Sequence, residues 1–162
     1  MRAESFAGFF EQAVADYAAD NVASGRWLAH EAVQLARAET ERSVRRMIDR
    51  WNADGFGLFT TVRKEDEAVI GRVGLLVWNT DTWEPTTRAE AGNVPSEVEV
   101  GYTLGRPHWG QGYATEDAGA VRDYALNELG AERLIALIIH GNTASENVAR
   151  KLGLEYERDI ML

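Results

Sequence analysis

A glycine-rich loop near residue 110 has the composition of an anion-binding site. Residues 109–114 read Trp-Gly-Gln-Gly-Tyr-Ala, and they stand between a predicted strand and a predicted helix. Glycines let the backbone approach a ligand closely, and the unbonded amides at a helix start favour negative charge. Successive loop amides can also form a concave nest around an anion. The same pattern occurs in ordinary turns before helices, so these residues alone leave both interpretations open.

Two common nucleotide-binding motifs do not fit this loop. The dinucleotide fingerprint requires a third glycine three residues after Gly112, where Thr115 stands. The triphosphate-binding P-loop requires a Gly-Lys-Ser/Thr sequence, and no lysine occurs between Gly105 and Gly130. The loop is therefore predicted to bind an anion that is held mainly by backbone amides.

Two carboxylates on the strand before the loop are candidates for proton transfer. Residues 97–104 alternate in polarity, which places Glu97 and Glu99 on one face of the strand, about 7 Å apart. Neighbouring carboxylates can raise one another's pKa toward the range in which a carboxylate serves as a general base. The alternative is that both are ordinary polar residues on an exposed face.

These residues require a mixed α/β scaffold to position them. Hydrophobic periodicity and turn residues predict a single domain, residues 1–162, with the element order ααβββαβαβ. Helices are predicted over residues 6–19, 29–52, 115–129 and 141–153. Strands are predicted over residues 58–63, 68–78, 97–104, 133–139 and 155–162, with Gly71 and Gly74 as bulge positions. Residues 79–95 are predicted to form a long polar loop.

The composition is that of a soluble globular protein without cysteine chemistry. The absence of cysteine excludes disulfides, thiolate metal sites and a cysteine nucleophile, and the three histidines lack metal-ligand spacing, so no metal is expected. The net charge of −9 disfavours nucleic acid and favours a cationic partner such as an amine, or it serves solubility alone. Residues 134–139 are the longest apolar run, far short of the roughly 20 residues that cross a bilayer. With no signal-peptide pattern either, a cytoplasmic location without membrane contact is expected.

Two sequence blocks resemble the GNAT superfamily of acetyltransferases. The first comprises residues 98–104 (VEVGYTL) and 109–116 (WGQGYATE), and the second comprises residues 141–145 (GNTAS) and 151–154 (KLGL). The branch of closest resemblance is that of the acetyltransferases that modify serine or alanine at ribosomal-protein N-termini. The resemblance covers about residues 57–156 and implies a mostly antiparallel sheet flanked by helices.

The resemblance implies a coenzyme A site in which the glycine-rich loop grips the pyrophosphate. The family loop reads Gln/Arg-x-x-Gly-x-Gly/Ala, and Trp109 departs from it at the first position, although this branch carries an aromatic residue there. Backbone amides bind the phosphate, the strand end lies beside pantetheine, and a downstream asparagine holds the cofactor arm with help from a second. The implied cofactor-binding residues are Tyr102, Thr103, Leu104, Trp109, Gly110, Gln111, Gly112, Tyr113, Ala114, Thr115, Asn142 and Asn147.

The resemblance also implies direct attack of an amine on the acetyl-CoA thioester. Glu99 matches the family's acidic position and is the expected base, acting through water. An amide of residues 102–104 is expected to polarise the thioester carbonyl. Many relatives use a tyrosine as the acid where this chain has Ala149, and this branch suggests the hydroxyl of Ser145 instead. The alternative role for Ser145 is to cap the helix that it begins.

Two family strands are expected to be missing here, one before the first helix and one after residue 162. An unpaired sheet edge is a template for association, so a homodimer is expected. The predicted function is acetyl transfer from acetyl-CoA to a primary amine, either a protein N-terminus or a small molecule. The alternative is a catalytically silent module that binds acyl-CoA as a sensor, or an interaction module. The sequence does not identify the acceptor, because the N-terminal helices and residues 79–95 carry the least recognisable sequence.

Overall fold

The N-terminal third of the protein forms two long helices that pack on each other. The computed structural model describes residues 3–161, with side chains from residue 9 onward. Helix α1 spans Ala3–Ala23 and α2 spans Ala29–Asp54, and their contact consists largely of small buried residues such as Ala18, Ala32 and Ala36. Gly55 ends α2 with φ at 73°, a left-handed conformation that glycine adopts without a steric penalty. Over the described range, no helix is long and apolar enough to cross a bilayer.

A four-stranded antiparallel sheet follows, with its longest strand in the middle. The strands are β1 (Leu58–Val62), β2 (Val69–Asn79), β3 (Glu84–Thr86) and β4 (Ser96–Leu104). Strand β2 pairs with β1 and β4 and, at its end, with β3. The predicted loop over residues 79–95 is wrong in part, because it contains β3 and the short helix α3, Arg88–Ala91. Thr87 and Glu90 form a reciprocal cap that stabilises this helix.

The two glycines predicted as bulge positions in β2 have different roles. Gly71 lies opposite Thr61, where the pairing with β1 shifts register, so the predicted bulge is confirmed there. Gly74 lies in regular pairing with both neighbouring strands. A Cβ at Gly74 would lie 2.0 Å from the carbonyl oxygen of Gly57. Glycine is needed at position 74 because the backbone of Gly57 and Leu58 lies directly against it.

Helices lie on both faces of the sheet, which confirms the predicted fold class. After a 3-10 turn at Arg106–His108 come α4 (Tyr113–Asn127) and α5 (Thr143–Lys151). The main core joins one face of β2 and β4 to α4 and α5, and it contains Phe56, Val73, Leu75, Val77, Val100, Ala118, Val121, Ala125 and Leu152. Side chains alternate along a strand, so the Arg72 side chain faces the other way, where its guanidinium contacts Met47 of α2.

The last two predicted strands are wrong. Residues 133–139 make a single parallel bridge, in which Val100 N donates to Ile135 O and Ile135 N donates to Val98 O, each at 2.9 Å. Beyond this bridge the backbone of Leu137 bonds to the side chain of Glu99, so the ladder stops. Residues 155–161 form no strand and leave Tyr156 80% exposed, because no neighbouring strand of the described chain pairs with them.

Candidate functional site

The glycine-rich loop presents a run of backbone amides without acceptors. Gly110 and Gly112 adopt positive φ angles of 74° and 91°, and Gly112 is the residue that begins α4. Within residues 3–161 the amides from Gly110 to Ala114 have no hydrogen-bond acceptor. The amide of Thr115, predicted to be a phosphate donor, instead donates to Gly112 O at 3.0 Å. The preceding amides are therefore the ones that this geometry leaves for an anion.

Two side chains of the loop bind it to the end of β4 and to the 3-10 turn that follows. The indole nitrogen of Trp109 donates to the carbonyl oxygen of Leu104 at 2.7 Å. The amide nitrogen of Gln111 donates to the carbonyl oxygen of Pro107 at 3.0 Å. These side chains therefore anchor the loop, while the ligand-facing groups of the segment are in its backbone.

Strand β4 has an open backbone edge next to this loop. Backbone groups alternate in direction along a strand, and Val98 and Val100 direct theirs to Ile135. Tyr102 and Leu104 therefore point their N–H groups to the same side, beyond the end of the bridge. Thr103 directs its backbone to β2, so of the three residues predicted to flank pantetheine, only Tyr102 and Leu104 offer backbone groups to the open edge.

A cavity of about 220 Å³ lies where β4 and the segment after Ile135 diverge. Its lining brings together Glu99, Tyr102, Thr103 and Ser145, all of which were predicted as site residues. The predicted residues Asn142, at the N-cap of α5, and Asn147, in the middle of that helix, lie outside this lining. The cavity therefore joins both predicted catalytic side chains to the open backbone edge.

Glu99 is a buried carboxylate with two hydrogen-bond donors. Glu99 is only 7% exposed, so the alternative that it is an ordinary residue on an exposed face is wrong. Trp78 Nε1 donates to Oε2 at 2.7 Å, and the amide of Leu137 donates to Oε1 at 3.3 Å. Burial raises the pKa of Glu99, and these two hydrogen bonds partly oppose the shift.

The predicted influence of Glu97 on Glu99 is wrong. Glu97 forms an ion pair with Arg133 at 3.1 Å, and the raised pKa of Glu99 has burial as its main cause rather than a neighbouring carboxylate. The alternation along β4 does place both side chains on one face, but only Glu99 reaches the cavity.

The start of α5 is fixed by an asparagine cap and by a tyrosine from β4. Asn142 Oδ1 accepts from the amide of Ser145 at 3.1 Å, so Asn142 and not Ser145 caps the helix. The hydroxyl of Tyr102 donates to the carbonyl oxygen of Ser145 at 2.8 Å. Burial raises the pKa of Tyr102 to about 12, which keeps its phenol protonated. Asn147 is exposed and accepts from Arg150 at 2.8 Å.

A second cavity, of about 390 Å³, lies between the N-terminal helices and the sheet. Residues of α1 and α2 form its walls, and Arg72 and Thr103 line it from the sheet. The same two residues also line the cavity of Glu99, so the two cavities meet at them.

Sequence reasoning did not single out Trp78 as the partner of Glu99, nor Arg72. An arginine inside a strongly apolar predicted strand was the available signal for Arg72. Over the described side chains, no group of three histidine, aspartate or glutamate residues is arranged to hold a metal ion.

Comparisons with known proteins place the chain among acetyltransferases. The family profile described as acetyltransferase (GNAT) domain matches residues 10–155. The uncharacterized protein YkkB of Bacillus subtilis is 43% identical over 77 residues, which cover 44% of this chain and 45% of that protein. The uncharacterized N-acetyltransferase p20 of Bacillus licheniformis is 29% identical over 99 residues, or 61% of this chain and 48% of that protein. The chain thus spans about half the length of these two relatives.

The fold is shared with solved structures of low sequence identity. A putative GnaT-family acetyltransferase from Bordetella pertussis superposes with a TM-score of 0.64 at 21% identity, covering 95% of this chain and 83% of that one. The putative acetyltransferase YycN from Bacillus subtilis superposes with a TM-score of 0.60 at 20% identity, covering 100% of this chain and 93% of that one. The profile match spans most of the chain, and on that basis the chain belongs to the GNAT acetyltransferase family.

Proposed function

We propose that the protein transfers an acetyl group from acetyl-CoA to a primary amine. The observation that carries the proposal is the continuity of three features: the unbonded amides of residues 110–114, the open edge of β4, and the cavity of Glu99. Together they form one path that suits a long ligand with an anion at one end and a reacting group at the other.

The residues present suit the parts of coenzyme A. The amides from Gly110 to Ala114 are the candidates for the pyrophosphate, because they face outward at the start of a helix. Tyr102 and Leu104 would pair with the pantetheine amides, as a peptide pairs with a sheet edge. The Asn142 side chain uses its oxygen in the helix cap, so its nitrogen is the group left to contact the cofactor arm.

The proposed reaction is a direct acyl transfer. The amine nitrogen attacks the thioester carbon, a C–N bond forms, the C–S bond breaks and the thiolate of coenzyme A leaves. Glu99 accepts the proton of the amine, directly or through one water, and its raised pKa makes it a stronger base than an ordinary carboxylate.

Two further groups would assist the leaving thiolate and the carbonyl. Tyr102 carries the first N–H beyond the Ile135 bridge, and it is the candidate donor to the thioester oxygen. Ser145 lines the cavity, and its hydroxyl is the candidate group to face the thiolate.

An assay of thiol release tests the proposal. The protein is mixed with acetyl-CoA and a panel of primary amines that includes amino acids, polyamines and short peptides, and free thiol is measured. Thiol release that depends on one amine, and that falls by about 100-fold or more in Glu99→Gln, supports the proposal. Coenzyme A binding without turnover over the whole panel would contradict it and favour the alternative of a silent acyl-CoA sensor.

The finer predictions made from the sequence remain proposals. They are the relation to the ribosomal-protein N-terminal branch, the cytoplasmic location and the homodimer. The exposed side chains of Tyr156 and Met161 favour self-association. Light scattering that gives a monomer at micromolar concentration would refute the dimer.

A further inference from the structure

The guanidinium of Arg72 is partly buried and has no carboxylate partner. It projects from β2, and Nη1 donates to the thioether sulfur of Met47 at 3.0 Å. Sulfur is a weak acceptor, whereas a guanidinium carries five donors. Among the side chains of residues 9–161, no carboxylate lies within ion-pair distance of Arg72. A cation held in this way is stabilised when a ligand brings the opposite charge.

The position of Arg72 connects this cation to the proposed reaction. Arg72 and Thr103 line both the cavity of Glu99 and the cavity between the N-terminal helices. A molecule that enters through the second cavity, with its amine directed toward Glu99, therefore passes the guanidinium of Arg72. This arrangement makes the second cavity the candidate acceptor site of the proposed function.

The charges around the acceptor cavity favour an acid in spite of the net charge of −9. Two of its carboxylates are paired with arginines, Asp20 with Arg106 and Glu39 with Arg42 at 2.5 Å. The third, Asp16, accepts from the neutral amide of Gln12 at 3.0 Å and keeps its negative charge. Arg46 also lines this cavity, and the described side chains give it no ion pair. Arg46 and Arg72 therefore remain without a salt bridge against a single carboxylate, Asp16, which leaves an excess of positive charge in this lining.

We propose, resting on the proposed function, that the acceptor is a small amine with a carboxylate next to its amino group, as in an amino acid. The carboxylate would bind the guanidinium of Arg72 through two parallel hydrogen bonds, the geometry that arginine and carboxylate share. The amino group would then point toward Thr103 and Glu99. A peptide or protein N-terminus offers a neutral carbonyl at that place, so the geometry disfavours it as the acceptor.

Binding of products tests this inference without any turnover. Protein saturated with coenzyme A is titrated calorimetrically with N-acetyl amino acids that have small, aromatic and basic side chains, and with the matching N-acetyl amino-acid amides. At least one acid is expected to bind about tenfold or more tightly than its amide. Equal binding of every pair, or no binding by any acid, would overturn the inference.

Two variants separate recognition by Arg72 from a role in folding. Arg72→Met keeps the length of the apolar stem and is expected to abolish the preference for the acid while coenzyme A affinity stays unchanged. Arg45→Met, on the exposed surface of α2 outside the cavity, is the matched control and should keep the preference. A preference that survives in Arg72→Met, or is lost together with coenzyme A binding, would refute the assignment.

Turnover assays distinguish this inference from the proposed function. Thiol release is measured with an amino acid, its amide and the amine that lacks the carboxyl group. Turnover of the amine and the amide at the same kcat/KM as the acid would leave the proposed function standing and refute the carboxylate inference. Acid-selective product binding with no turnover of any amine would refute the proposed function alone.

Discussion

Gly112 and Gly130 provide a matched pair for testing the phosphate loop. Both have positive φ, 91° and 68°, and a Cβ at either position would meet no atom within 4 Å. Gly112 is the N-cap of α4, and Gly130 lies beyond the other end of this helix. The 15 residues of α4 separate the two glycines by a helix about 22 Å long. We expect Gly112→Leu to lose coenzyme A affinity and Gly130→Leu to retain it.

The structure sets the expected magnitudes. Each substitution places a side chain in the left-handed region, which costs about 1–2 kcal/mol of folding free energy. For a chain of this size, that corresponds to a fall in Tm of roughly 2–8 °C, of similar size in both variants. At Gly112 the new side chain also displaces the anion from amides whose bonds to a charged group contribute about 1.5–3 kcal/mol each. Loss of one such bond weakens binding about 10- to 150-fold.

Two measurements separate strain from lost contact. Differential scanning calorimetry of the unliganded variants reports the strain, and isothermal titration with coenzyme A reports the contact. Equal coenzyme A affinity in Gly112→Leu and Gly130→Leu would refute the placement of the pyrophosphate at this loop. A much larger fall in Tm for Gly112→Leu would show that the loop supports the fold rather than the ligand.

Three further predictions follow from single contacts. Trp78→Phe removes a donor that stabilises the charged form of Glu99, so the acidic limb of the pH–rate profile should move to higher pH; Trp83→Phe should leave it in place. Because the pKa of Glu99 is raised on folding, the wild type should lose stability relative to Glu99→Gln as the pH rises above about 4.3. Urea unfolding measures this, and the same pH dependence of the unfolding free energy in both proteins from pH 4 to 7 would contradict it. Gly74→Ala should lower the free energy of unfolding by about 3 kcal/mol or more, because the new Cβ would lie 2.0 Å from a backbone oxygen. Gly119→Ala in α4 should leave it unchanged or raise it, and chemical denaturation measures both variants.

Local patterns allowed most helices and the loop to be predicted from sequence. The boundaries of α2 and α4 follow from apolar spacing and from glycines at their ends, all of which are short-range features. The glycine-rich loop was recognisable for the same reason, because its two glycines and the helix after it are consecutive. Family resemblance then supplied the ligand, which the loop alone left open.

Long-range contacts explain what the sequence did not reveal. The apolar run after residue 133 has the composition of a buried strand, but Leu137, 38 residues after Glu99, bonds to the Glu99 carboxylate instead of to a backbone. Trp78 and Glu99 are 21 residues apart, and nothing in their spacing indicates a contact. The burial of Glu99 and the partial burial of Arg72 depend on how the helices cover the sheet, which residue periodicity does not specify.

The hydrogen bond from Leu137 N to Glu99 Oε1 joins a backbone proton to the proposed base. Protonation of Glu99 weakens this acceptor, so the chemical shift and the solvent-exchange rate of the Leu137 amide should follow the charge of the carboxylate. A single backbone resonance in a ¹⁵N-labelled sample can then report the titration of Glu99 in the absence of any substrate. The divergence of β4 from the segment after Ile135 thus provides a built-in spectroscopic reporter of the protonation of Glu99.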